Sequence, residues 1–174
     1  KYIDLAHKLS FEWKENIGKV YLGNTYYTLG DFNTSLEIFV EAEKYFSETK
    51  DTSILANVYN GMAAASENSG NDTITLKYFT RAYELFNTQK DARRSALALN
   101  NMGNIYVQRK DYPKAIEYME EAFILIEGSL FPEYKAVLGV NLANAFKESN
   151  DLNKADSIYQ FVLSQLNEKD DTYN

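Results

Sequence analysis

At 174 residues the chain is long enough to bury a core in one ordinary domain. Its formal charge of −7 and pI near 4.8 argue against the clustered basic face that direct nucleic-acid binding needs, and fit neutral or basic partners. There is no cysteine, which removes disulfide frameworks and thiolate zinc sites and suits a cytoplasmic or a periplasmic setting equally.

In chain order, residues 2–10 read as the second helix of an earlier repeat, with Ile3, Leu5, Ala6 and Leu9 apolar. Helices are then expected in pairs over 13–29 and 33–48, 52–69 and 73–88, 92–109 and 112–127, and 132–149 and 152–167. The helical period is plainest in Ala115, Ile116, Met119, Ala122, Phe123 and Ile126, and again in Ala155, Ile158, Tyr159, Val162, Leu163 and Leu166. Pro113 and Pro132 open helices, where a missing N–H is harmless. Asn33 and Asp72 are candidate N-caps, and Gly30 and Gly70 candidate C-terminal turn residues. No stretch alternates with period two, and no apolar run nears the roughly 20 residues of a membrane helix, the longest obvious one being Ala122–Ile126. No signal-peptide pattern opens the chain, which starts at Lys1 and reads as a piece of a longer protein.

Small residues repeat along this framework. Leu22-Gly23-x-x-Tyr26, Asn60-Gly61-x-x-Ala64, Met102-Gly103-x-x-Tyr106 and Leu142-Ala143-x-x-Phe146 are spaced by 38, 42 and 40 residues. A second set follows, seen in Gly30-x-Phe32-x-x-Ser35-x-x-x-Phe39-x-x-Ala42 and Lys110-x-Tyr112-x-x-Ala115-x-x-x-Met119-x-x-Ala122. A fixed period in this range marks a stacked-repeat architecture. The small residues allow close approach where ridges of one helix seat in grooves of another. The resulting division is 1–15 as a remnant of a preceding repeat, 16–50, 51–90, 91–130 and 131–167 as repeats one to four, and 168–174 as a polar tail. Repeat two fits only with two extra residues before its turn.

This pattern of small residue, aromatic, turn glycine, aromatic, alanine, aromatic and alanine resembles the tetratricopeptide repeat. Its period is longer than the family's usual value of about 34 residues, and the family's closing proline is missing. The resemblance covers residues 16–167 and implies an all-α superhelical solenoid of helix–turn–helix units. It further implies a groove lined by the first helix of each pair, and hence a protein or peptide partner without a cofactor or a metal.

On those first helices Asn24, Asn104 and Asn144 follow the small residue, and Asn100, Asn101 and Asn141 sit one turn earlier. Amides carry donor and acceptor together, so such a ladder can pair with an extended ligand's backbone, or alternatively bond between neighbouring helices and hold the stack. Tyr27, Val107, Gln108, Lys147 and Glu148 lie one turn later and are candidates for shaping specificity. The carboxylate clamp that some members use to grip a peptide C-terminus is not expected, because Val20, Leu97 and Asn101 stand where its cations would be. Arg93 and Arg94, near Lys90, could meet an acidic segment but read more simply as solvated surface. His7 is the only histidine and reads as incidental, Trp13 as packing at a repeat boundary, and Glu41/Glu43 and Glu120/Glu121 as solvated faces. No phosphate loop, nucleophile elbow or zinc motif is present, so an enzyme is not expected.

The reading is therefore a protein- or peptide-binding scaffold whose segment touches neither nucleic acid nor membrane. A sensor or regulatory module of a bacterial signalling protein, gating a kinase or a transcriptional regulator, is the alternative. An uncapped last repeat implies either further repeats in a longer parent or a homodimer through a terminal repeat.

Overall fold

In a computed structural model, residues 2–68, 70–126 and 132–170 are described. They form eight helices and, among the described residues, no strand: α1 Tyr2–Thr28, α2 Phe32–Thr49, α3 Thr52–Glu67, α4 Asp72–Thr88, α5 Ala92–Gln108, α6 Tyr112–Leu125, α7 Pro132–Glu148 and α8 Leu152–Asp170. The expected break before residue 13 is absent, because α1 runs unbroken from Tyr2 to Thr28. The helical period of residues 2–10 simply continues into the next segment, with no proline or αL residue to stop it. The side chain of His7 and the last four residues of the expected tail lie outside the described residues.

One turn design recurs between helices. An αL residue follows six of the eight helices, namely Gly30, Lys50, Gly70, Lys90, Lys110 and Asn150, with φ between 56° and 81°, whereas the C-cap of α6, Ile126, has φ −102°. The next residue is Asp31, Asp51, Asn71, Asp91, Asp111 or Asp151, so the turns fall on a 20-residue metre. After five of these αL residues the backbone N–H of the aspartate reaches back to the carbonyl of an aromatic residue five positions earlier, as in Asp31 to Tyr26 at 3.0 Å and Asp151 to Phe146 at 2.9 Å. That is the 6→1 bond of a Schellman turn. The same side chain then caps the next helix, Asp31 Oδ1 accepting from the Thr34 N–H at 3.2 Å and Asn71 Oδ1 from the Ile74 N–H at 3.3 Å. The caps of α2 and α4 are thus Asp31 and Asn71. Asn33 lies inside α2 and Asp72 is the first residue of α4, each displaced from the cap position by the αL–Asx turn.

The same metre corrects the phase of repeat two. Forty residues separate Gly30 from Gly70, so the counterpart of Gly23 is Ala63, followed by Gly103 and Ala143, and no insertion precedes the turn. Ala63 is fully buried, as a close-approach point must be. Ser66 then occupies the place of Tyr26, Tyr106 and Phe146, and its hydroxyl pairs with that of Thr75 on α4 at 2.8 Å inside the fold.

The helices group into two compact units, residues 1–85 and 86–174. In the first, Phe39 on α2 is 1 % exposed and centres a core with Val20, Phe46, Leu55, Val58 and Met62. A Cβ on Gly23 would lie 3.0 Å from the Phe39 ring, and one on Gly61 only 2.4 Å, so both glycines let α1 and α3 close on the same ring. In the second unit Met119, Leu142, Ala145, Phe146 and Ala155 form the core. A Cβ on Gly103 would lie 2.7 Å from Met119, and one on Gly139, which the repeat pattern does not mark, 2.5 Å from Val162.

Candidate functional site: the faces of the odd-numbered helices

Within each unit the odd-numbered helices touch, α1 against α3 and α5 against α7. This brings the first-helix residues of successive repeats together, and the two units use them differently.

In the first unit α1 and α3 border an opening of about 250 Å³. Ile17, Val20 and Ile54 supply its apolar wall, and Tyr21, Asn24 and Asn57 its polar groups. Tyr21 is 70 % exposed, so its ring stands at the mouth. Asn24 is exposed, and the Asn57 amide donates to the Ser53 carbonyl of its own helix at 3.1 Å. Tyr27 sits further along α1, meeting Phe32 edge-on at 5.6 Å between centroids.

In the second unit the amides meet each other. Asn100 is 4 % exposed, and its Oδ1 accepts from Asn141 Nδ2 at 3.0 Å, tying α5 to α7. Asn100 is therefore withdrawn from any ligand and holds the stack. Asn144 is exposed, but its Oδ1 takes the Tyr159 hydroxyl at 2.5 Å. Asn101 and Asn104 are half-buried, Gln108, Lys147 and Glu148 are exposed, and Val107 packs on the core.

The basic pair is engaged rather than merely solvated. Arg93 Nη1 donates to the Tyr134 hydroxyl at 3.2 Å with its guanidinium 5.3 Å above that ring. Arg94 reaches the Asp91 carboxylate at 2.6 Å and lies 4.9 Å over Phe86. Burial alone would raise the Asp91 pKa. The backbone and side-chain hydrogen bonds from Arg94 and its charge outweigh that and hold the carboxyl below the ordinary aspartate value. Trp13 donates from Nε1 to Asp51, the cap of α3, at 3.2 Å.

Asn57 and Tyr21 are the polar lining residues that sequence reading missed. Asn57 stands forty residues before Leu97, a position the family resemblance marks as ligand-facing, but a phase set on Gly61 hides that equivalence.

The tetratricopeptide repeat family model matches residues 54–123 and 94–168. The chain belongs to the tetratricopeptide repeat family. It is 24 % identical over 163 residues to tetratricopeptide repeat protein 29 of Macaca fascicularis, covering 87 % of this chain but 34 % of that protein. The chain thus spans about a third of that relative's length. Among solved structures it resembles aspartyl phosphate phosphatase F of Bacillus subtilis, with a TM-score of 0.83 and 16 % identity, over 91 % of this chain and 42 % of the other. It also resembles a signal transduction ATPase with numerous domains from Pyrococcus horikoshii that carries a tetratricopeptide repeat sensor. There the TM-score is 0.79 and the identity 17 %, over 88 % of this chain and 24 % of the other. At these identities the structural likeness establishes the fold, an all-α helical repeat. No helix among the described residues is long and apolar enough to cross a membrane.

Proposed function

We propose that the chain is a peptide-binding repeat module whose principal contact surface is the α1–α3 face of the first unit. The observation that carries this reading is the opening in which Asn24 and Asn57 stand beside an aliphatic wall of Ile17, Val20 and Ile54. Two amides on adjacent helices can meet successive peptide groups of an extended chain, and the aliphatic wall accepts a neutral side chain. On the α5–α7 face of the second unit, taken by itself, Asn104, Gln108 and Lys147 are the side chains open to a partner, whereas Asn100 and Asn141 hold the scaffold. No step in this function requires a catalytic group.

A displayed library of random linear peptides, selected against the intact chain, tests the proposal. Enriched peptides are expected to lose binding to an Asn24→Ala, Asn57→Ala double variant and to keep it with Asn144→Ala. Retention by the double variant would overturn it.

The likeness to a protein carrying a tetratricopeptide repeat sensor supports a second reading, in which binding at this face regulates another domain of a longer signalling protein. The two readings share the surface and differ in output. A full-length gene encoding a kinase, an ATPase or a DNA-binding domain beside these repeats would favour the second.

A further inference from the structure

A second opening of the first unit, about 300 Å³, lies among α2, α3 and α4 and shares no residue with the α1–α3 pocket. Val40 and Glu43 line it from α2, Tyr59 and Met62 from α3, and Lys77, Tyr78 and Arg81 from α4. Its size is at the small end of the roughly 300–1,000 Å³ typical of small-molecule sites.

The charges in it, among the described residues, do not pair with one another across the opening. Glu43 is held in place by the Tyr59 hydroxyl at 2.8 Å and the Ser47 hydroxyl at 2.9 Å. Both bonds end on Oε1, which leaves Oε2 with its acceptor capacity. Tyr59 is itself fixed by stacking on Tyr78, with 6.4 Å between ring centroids and 20° between planes. Burial raises its pKa, and the hydrogen bond to Glu43 and that residue's charge raise it further, so the phenol keeps the proton it donates. On α4, Lys77 and Arg81 stand one turn apart. Arg81 pairs with Glu84 of the same helix at 3.2 Å, an ion pair in which both side chains are more than half exposed and which a competing anion can replace. Among the described residues neither cation closes an ion pair with Glu43 across the opening. Its apolar lining is Met62, 3 % exposed, and Val40, 47 % exposed.

A simple anion entering here would meet Glu43, and a simple cation would meet Lys77 and Arg81. A ligand bearing both charges on adjacent carbons satisfies both walls. We propose that this opening binds a free α-amino acid with an aliphatic or thioether side chain. Its ammonium group meets Glu43 Oε2, its carboxylate meets Lys77 and Arg81, and its side chain lies against Val40 and Met62. The site is independent of peptide binding at the α1–α3 face.

Isothermal titration calorimetry of the intact chain with L-methionine, L-leucine, N-acetyl-L-methionine and L-methioninamide tests this. Saturable binding of the free amino acids is expected. The acetylated and amidated forms, which each lack one charge, should bind about tenfold more weakly or worse. Glu43→Gln, which can still accept from Tyr59 and Ser47, and the pair Lys77→Ala with Arg81→Ala should each weaken methionine to a similar extent. Absence of saturable binding by both free amino acids would overturn the proposal. So would equal binding of either singly charged derivative, which would make the opening a site for one charge only. The ligand series on the unaltered chain decides the question even if a variant loses its fold.

Discussion

The α1–α3 and α5–α7 helix pairs are the same structural element eighty residues apart, and their side chains can be compared position by position. Val20 and Gly61 in the first unit correspond to Asn100 and Asn141 in the second. Where the second unit closes the contact with an amide–amide hydrogen bond of 3.0 Å, the first has a valine and a residue without a side chain. The helix starts differ in the same way. Arg93 of α5 bonds Tyr134 on α7, whereas its counterpart Trp13 bonds the cap of α3, and Ile54, the counterpart of Tyr134, lines an opening instead. Equivalent positions in a repeat are thus divided between holding helices together and lining an opening. The side chain facing each position decides which.

Substitutions can break this contrast, beginning with the largest effect. Phe39→Ala removes the ring on which both Gly23 and Gly61 rest, and should cost about 3–5 kcal/mol. Thermal unfolding should fall by about 2–4 °C for each kcal/mol in a chain of this size. Gly61→Ala should cost about 1–3 kcal/mol, because its Cβ would sit 2.4 Å from a buried ring. Gly23→Ala, at 3.0 Å, should cost less, and equal losses in denaturant titrations would contradict the geometry.

Asn141→Ala leaves the Asn100 carbonyl oxygen buried without its donor, a loss of about 1–3 kcal/mol. Asn24→Ala should change stability by less than about 0.5 kcal/mol. The two variants, measured side by side, separate the scaffold amide from the surface amide. The smallest effect concerns pH. The Asp91 pKa is lower in the folded chain than in the unfolded one, so its contribution is complete above the ordinary aspartate pKa. It is lost as pH falls through the depressed folded value. Asp91→Asn, which can still cap α5, should flatten the acid limb of the stability curve. An unchanged acid limb would show that the Arg94 contact does not hold the carboxyl ionised.

The helices were legible because apolar residues recur with the helical period, and the family because the repeat motif is shared across it. Gly30 and Gly70 were legible as turn residues, since glycine adopts positive φ readily. Lys50, Lys90 and Lys110 take the same conformation without any such signal in their residue type. The recurrence of Asp31, Asp51, Asp91, Asp111 and Asp151 was the stronger clue to phase, and Gly61 the misleading one. Gly61 is small because it too approaches Phe39, from the neighbouring repeat. The pairing of Asn100 with Asn141 depends on how two helices cross, which periodicity along one helix does not encode. For the same reason a row of asparagines could be recognised while its division into scaffold and surface could not.

That division can be observed directly in the exchange rates of the side-chain amide protons, followed by NMR on the uniformly nitrogen-15-labelled chain. Asn141 Nδ2–H should be protected by its bond to the buried Asn100 oxygen, and Asn24 Nδ2–H should exchange at the rate of a free amide. Equal exchange at the two positions would contradict the account.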